Sequence, residues 1–253
     1  MIDLTIVSCL APCLGRRDFE AAAGLLQPLL DAKVPLVVYV EDIWKEPLRK
    51  RCASDYLRLH ETSARRRLDT FAFKSEIAAA RAASTHPDLP SLDYFVTTLT
   101  KMGMLHDQSI WNPFGTRYLA WIDADVSASV HPRYFTDERV LDTLPCLLRR
   151  FLFLTRPSAV TDAAGTPGAS RVQAQLFGGE LGEIPHANAL YYQLLEHPLR
   201  QGLLPTDESL FTQVMERAPE RFDRFILQDN GLLGFLFEEM RTGRVSLERT
   251  LVC

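Results

Sequence analysis

The run Tyr118-Leu119-Ala120-Trp121-Ile122 is continuously apolar and stops abruptly at Asp123-Ala124-Asp125. Five apolar residues bounded by turn-forming ones predict a short buried strand, which puts two carboxylates at its carboxyl end. That is where open α/β sheets bind their ligands. Side chains alternate along an extended chain, so Asp123 and Asp125 are expected on one side, where two like charges are unfavourable without a cation between them. A hard divalent ion, Mg²⁺ or Mn²⁺, satisfies this pattern by taking carboxylate oxygens on one side and phosphate oxygens on the other. Asp123 and Asp125 are therefore the candidate metal ligands. The plainer reading of the same residues is an Asx turn after a strand.

The rest of the chain reads as strands alternating with helices. Leu4-Thr5-Ile6-Val7-Ser8 predicts a first strand, Asp18 to Asp31 a helix, and Val34 to Val40 a second strand ending in Glu41-Asp42. A helix-length connection between strands implies a parallel crossover. Residues 45–90 are charged and alanine-rich, with helical patches at Leu48 to Arg58 and Lys74 to Ala83. Arg65-Arg66-Arg67 fits a solvated helix face or a contact with an anionic acceptor.

A long helical pattern from Leu92 to Ile110 carries Lys101, and Asn112-Pro113-Phe114-Gly115 turns the chain into the acidic strand. Beyond it come a helix around Leu141 to Arg150, a strand Phe151 to Leu154, and a loop-forming tract Thr161 to Gly168. The alternating Val172 to Phe177 then ends at Gly178-Gly179. Glycines there make a tight turn or let a ligand approach the backbone. Residues 184–196 predict a helix, Thr206-Asp207-Glu208 opens another running to Arg217, and Phe225-Ile226-Leu227 reads as the last strand. The whole is a single α/β domain with a mainly parallel sheet flanked by helices.

Composition narrows the function. A net charge of −4 argues against a nucleic-acid binder, which needs a basic face to displace counterions. No run approaches the roughly 18 apolar residues of a membrane span. Asp3 and the lack of basic residues at the start make the N-terminus a strand rather than a signal peptide. Five cysteines form no C-x-x-C pair and are odd in number, which fits reduced thiols in a cytoplasm. The expected location is cytoplasmic, with peripheral attachment to the inner membrane face left open.

Three α/β classes use a strand-end Asp-x-Asp. A haloacid-dehalogenase-type phosphatase places the pair after its first strand near the N-terminus and adds a later adjacent Asp pair, which this chain nowhere contains. A sugar nucleotidyltransferase needs a glycine-rich basic loop after strand one, whereas Ala11-Pro12-Cys13-Leu14-Gly15-Arg16-Arg17 has one glycine. The third class carries a resemblance. Asn112-Pro113-Phe114-Gly115-Thr116-Arg117-Tyr118-Leu119-Ala120-Trp121-Ile122-Asp123 resembles the N-P-F-x-T-x-Y-x-x-W-I-D segment of the bacterial HtrL/YibB family, which is related to GT-A-fold glycosyltransferases. Gly15-Arg16, Lys101, Phe177-Gly178-Gly179 and Thr206-Asp207-Glu208 resemble further landmarks in matching order. The likeness spans most of residues 4–225, and residues 45–90 lie outside it. The family pattern often has Gly two residues after W-I-D, where this chain has Asp125.

The resemblance implies a GT-A-like fold with a nucleotide-binding half over 1–127 and an acceptor and sugar half over 128–253. It implies transfer of a sugar from a nucleotide-diphosphate donor, first of all a UDP-sugar, to the hydroxyl of a glycan or small-molecule acceptor, as in bacterial surface glycan (lipopolysaccharide) synthesis. Mn²⁺ or Mg²⁺ would stabilise the leaving diphosphate. Asp125 would be its direct ligand, with Asp123 acting through water or on the ribose. Ser8, Gly15, Arg16, Glu41 and Asp42 would frame base and ribose, Lys101 would reach the diphosphate, and Gly178 and Gly179 would admit the donor sugar. Asp207 or Glu208 would be the base, against the alternative that they merely open a helix. His131, His186, His197, Asp229 and Asn230 are candidates for a third metal ligand. A GT-A-like domain that binds nucleotide without catalysis is the competing class.

Overall fold

β1 (Leu4–Leu10) is buried at every position because both faces of its sheet are covered. Leu4, Ile6 and Leu10 pack on one side, Val7 and Cys9 on the other, as alternation requires. A computed structural model of the protein describes residues 2–11, 18–52, 54–61, 72–84, 89–128, 130–156, 172–228 and 233–249. Among these residues lies one mixed, mainly parallel sheet. Besides β1 it contains β2 (Leu36–Val40), β3 (Leu57–Glu61), β4 (Tyr118–Ile122), β5 (Phe151–Thr155), β6 (Val172–Glu180), β7 (Phe222–Ile226) and the two-residue β8 (Glu248–Arg249). The order is β3-β2-β1-β4-β6-β5-β7-β8. The first four strands are mutually parallel, β6 runs antiparallel between β4 and β5, and β7 is parallel to β5.

Helices cover both faces. On one side lie α1 (Phe19–Asp31), α2 (Asp42–Arg51), α6 (Glu138–Leu147) and α9 (Leu233–Thr242). On the other lie α3 (Lys74–Ala83), α4 (Leu92–Leu99), α5 (Lys101–Trp111), α7 (Ile184–Arg200) and α8 (Asp207–Arg217). No helix among the described residues is long and apolar enough to cross a membrane.

The chain steps outward from β1 to β2 to β3, then returns to the opposite side of β1 as β4. That reversal opens a crevice beyond the carboxyl ends of β1 and β4. The Asn112–Arg117 connection sets β4 firmly. Asn112 ends α5 in the left-handed region at φ 36°, and its side chain brackets Thr116 by accepting from the Thr116 N–H (3.1 Å) and donating to its carbonyl (3.0 Å). Gly115 takes φ +66°, and the Thr116 hydroxyl meets that of Thr5 at 2.6 Å. The conspicuous N-P-F-G-T stretch is thus a device for starting a strand in register.

Three elements differ from the sequence expectation. Leu57–Glu61 is an edge strand rather than the end of a helix, because Leu57 and Leu59 alternate against the core beside exposed Arg58. The long helix at 92–110 is two helices meeting at Thr100, whose hydroxyl donates back to the Val96 carbonyl. Gly178 and Gly179 lie inside β6 rather than at its end.

Candidate active site

Asp123 follows the last residue of β4 and stays tied to the sheet, since its N–H donates to the Gln175 carbonyl of β6 at 2.9 Å. The extended backbone then gives way to a 3₁₀ turn, Ala124–Ala128. Strand alternation ends there, so the expectation that Asp123 and Asp125 share a strand face fails. Asp123 is half-buried and Asp125 is exposed. Both still line one cleft beyond the carboxyl end of β4. Its apolar wall includes Leu10 and Ala11 at the end of β1, Leu25 of α1 and the ring of Tyr94 on α4.

At the acidic end sits Lys101, the first residue of α5, 6% exposed. Its ammonium is 2.9 Å from Asp123 Oδ2 and 3.1 Å from Asp207 Oδ2, with the Ala174 carbonyl at 3.5 Å. Burial works against the charge on Lys101, but Asp123 and Asp207 outweigh it and hold the group above the ordinary lysine range. Lys101 is therefore a cation fixed between two carboxylates. Asp123 is pushed up to about 6 by burial, against the opposing pull of Lys101 and of the Trp121 indole. The indole N–H of Trp121 donates to Asp123 Oδ1 at 2.7 Å, so each Asp123 oxygen has its own donor.

α8 delivers the remaining acids. Thr206 is its N-cap, accepting from the Ser209 N–H (3.1 Å) while the Ser209 hydroxyl accepts from the Thr206 N–H (3.1 Å), a reciprocal capping box. The cap is therefore Thr206, which leaves the Asp207 side chain for Lys101 and for the Glu208 N–H (3.0 Å). Glu208 lies 3.8 Å from Arg156, the residue that follows β5. Burial raises Glu208 above the ordinary glutamate value, and Arg156 only partly offsets this.

No protein-family model matches the chain, and no curated protein sequence does. Among solved structures, the crystal structure of mouse xyloside xylosyltransferase 1 in its apo form is similar at a TM-score of 0.47. The likeness covers 87% of this chain and 83% of that one, at 11% identity. So remote a likeness leaves the activity to be argued from this chain's own residues.

The fold thus gathers Lys101, Asp123, Asp125, Asp207 and Glu208 from the turn after β4 and the starts of α5 and α8, two helices over a hundred residues apart in sequence. Other sequence candidates stand apart. Ser8 is fully buried in the middle of β1, paired with Val38, and does not reach the cleft. Glu41 and Asp42 flank the start of α2 at the carboxyl end of β2, outside the cleft lining. Gly178 and Gly179 pair with Ala120 and Leu119, back along β4 from the acidic end. A Cβ on Gly178 would fall 2.2 Å from the Leu119 carbonyl oxygen, so strand pairing alone already requires a glycine there.

His131 accepts from the Arg133 N–H at the start of a 3₁₀ turn, His197 pairs with Gln201 at the end of α7, and His186 sits in the first turn of α7. None of the three lines the cleft. Gly15, Arg16, Arg65 to Arg67, Thr161 to Gly168, Asp229 and Asn230 lie outside the described residues. Sequence reasoning missed Trp121 as a donor and Arg156 as the cation beside Glu208. The first was hidden because the strand reading explains Trp121 by burial alone.

Chemically, the acidic end offers one exposed hard-oxygen side chain, Asp125, beside a carboxylate already held by two donors. No group of three metal-ligating side chains occurs among the described residues. Were a divalent ion to bind here, Asp125 would be the ligand and its other oxygens would have to come from a phosphate ligand and water.

Proposed function

We propose that this protein is a metal-dependent glycosyltransferase that moves a sugar from a nucleoside-diphosphate donor to an acceptor hydroxyl. The observation that carries the reading is the Asp123–Lys101–Asp207 bridge, set beside exposed Asp125 in a cleft at the sheet's switch point. The W-I-D-centred resemblance to the HtrL/YibB family supports it. The apolar wall with Tyr94 suits a nucleobase and ribose, and the acidic end suits a metal diphosphate.

Asp125 would hold Mn²⁺ or Mg²⁺ directly, with Asp123 contributing through water. The ion supplies positive charge where the departing diphosphate gains negative charge. In the transfer, the bond from the anomeric carbon to the diphosphate oxygen breaks, a bond from that carbon to the acceptor oxygen forms, and the acceptor's proton passes to a carboxylate. Asp207 and Glu208 are the carboxylates in place. Burial raises Glu208 above the ordinary glutamate value, which favours its taking that proton. A UDP-sugar is the first donor to test, and bacterial surface glycan synthesis the setting it fits.

A phosphatase that uses Asp123 as nucleophile fits less well, because Trp121 and Lys101 engage both of its oxygens. The deciding experiment is a thermal-shift screen of nucleoside diphosphates and nucleotide sugars, each with and without Mn²⁺ or Mg²⁺. One nucleotide series should stabilise the protein only with the ion, and Asp125→Ala should abolish that increment at an unchanged ligand-free melting temperature. Stabilisation that ignores both the ion and Asp125→Ala would refute the metal role. Binding without any donor hydrolysis or transfer would make the protein a nucleotide-binding module.

A further inference from the structure

Trp121 is 1% exposed, and its ring stacks on Phe177 of β6 with centroids 6.0 Å apart and planes 13° from parallel. Phe177 in turn meets Phe211 of α8 at 4.5 Å. A ring clamped this way holds its N–H in one direction. Buried indole N–H groups require an acceptor, and here the acceptor is Oδ1 of Asp123, two residues along the chain. With one oxygen taken by a rigid donor, the plane of the Asp123 carboxylate is set. Oδ2 is left to meet the Lys101 ammonium, which spans onward to Oδ2 of Asp207.

The result is a continuous polar strut, Trp121 to Asp123 to Lys101 to Asp207, running from the end of β4 through the first residue of α5 to the first residue of α8. Each link is charge-assisted, the shorter and stronger class of hydrogen bond. The strut's side chains are mostly shielded, 8%, 19% and 14% exposed for Lys101, Asp123 and Asp207, so a link left unmade is only partly replaced by water.

We infer that Trp121 is a positioning residue: its indole N–H, acting through Asp123 and Lys101, fixes where the Asp207 carboxylate stands beside the nucleotide cleft. This rests on the transferase reading for its functional meaning, though the strut is a property of the ligand-free protein. A phenylalanine at 121 fills most of the same space and keeps the stack on Phe177, yet frees Asp123 Oδ1. The carboxylate then rotates and Lys101 follows it.

The test is a double-mutant cycle read by urea unfolding of the full-length protein. Trp121→Phe and Asp207→Asn together should change the unfolding equilibrium constant by about tenfold less than the product of their separate effects, the size expected of residues in one network. Trp121→Phe with Thr206→Ala, the cap on the same helix but outside the strut, should multiply without interaction. A packing role for the indole alone would give no coupling to Asp207, and an uncoupled Trp121–Asp207 pair overturns the proposal.

Should Trp121→Phe fail to fold, the native indole reports instead. In a spectrum of ¹⁵N-labelled tryptophan side chains, the Trp121 N–H should exchange slowly with solvent, faster in Asp123→Asn, and measurably faster in Asp207→Asn. Exchange unmoved by Asp207→Asn refutes the strut. Calorimetry of the nucleoside diphosphates with Mn²⁺ on the unmodified protein tests the other reading separately. Coupling without binding of any of them leaves the strut and removes the transferase, and binding without coupling does the reverse.

Discussion

Lys101 Nζ and Asp207 Oδ2 stand 3.1 Å apart where the N-termini of α5 and α8 converge. Lys101 brings a positive charge to the positive ends of two helix dipoles, an arrangement neither helix favours alone. Two carboxylates resolve it, and the dependence is mutual: without the ammonium, the mostly shielded carboxylates of Asp123 and Asp207 would be left facing each other.

Lys101→Met is accordingly expected to cost about 3–5 kcal/mol, the range for removing one partner of a buried ion pair. Arg200→Met breaks a pair with Glu196 in which both side chains are well exposed, and should change stability by no more than about 0.5 kcal/mol. Urea unfolding of the two variants at pH 7 checks the contrast. Equal, small effects would mean that the Lys101 pairs are as solvated as the surface one.

Glu208 gives a pH signature. Burial, more than any other influence, raises its carboxyl above the ordinary 4.5, with Arg156 pulling the other way. The folded protein therefore binds that proton more tightly than the unfolded chain does. As pH rises from 4.5 through the raised value, this group costs increasing stability, and the cost is constant above that window. Glu208→Gln removes the titration. Its stability relative to the unmodified protein should rise across that window and level off at higher pH, as followed by urea unfolding between pH 4 and 8. A difference that stays flat with pH would mean that Glu208 titrates normally.

Gly178 separates strand packing from ligand access. A Cβ there meets the Leu119 carbonyl oxygen at 2.2 Å and the Ala120 Cα at 2.7 Å, both backbone atoms that cannot move aside without parting β4 from β6. Gly178→Ala should cost at least about 3 kcal/mol or leave the protein insoluble. Gly182→Ala has open space around it and should be near neutral. Melting temperatures of the two variants decide the matter, and a stable Gly178→Ala protein would return the glycine to the list of ligand-facing positions.

The glycines also show where the sequence stops being readable. A strand ending in two carboxylates, the β-α-β start and the helix opening at Asp207 were legible because each is a local pattern with its own period or punctuation. The position of Gly178 was not, since the need for a missing Cβ arises from a neighbouring strand nearly sixty residues earlier. β3 was obscured for a related reason: as an edge strand it carries Arg58, His60 and Glu61 among only two core-facing leucines, too weak a period to stand out from flanking helix formers. Lys101 was recognisable as a candidate, yet its role as a bridge depends on α8 arriving beside α5, and no local spacing encodes that.

Thr206 and Asp207 finally separate capping from chemistry. Thr206→Ala removes the acceptor for the Ser209 N–H and should cost about 1 kcal/mol, a typical cap, while leaving turnover within a few-fold of normal. Asp207→Asn keeps the acceptor for the Glu208 N–H and leaves Lys101 its bond to Asp123, so the fold should survive with moderate loss. What it removes is a full negative charge beside the cleft. If that charge takes the acceptor's proton or stabilises the developing positive charge on the sugar, transfer should fall about 10²-fold or more with nucleotide affinity nearly unchanged. The measurement is turnover and melting temperature of both variants, with the donor found in the thermal-shift screen. The two variants separate by activity: Thr206→Ala loses some stability and keeps activity, whereas Asp207→Asn loses activity far beyond what its moderate loss of stability explains. An Asp207→Asn enzyme that transfers sugar within a few-fold of the unmodified protein would pass the role of base to Glu208, and Glu208→Gln would then carry the hundredfold loss.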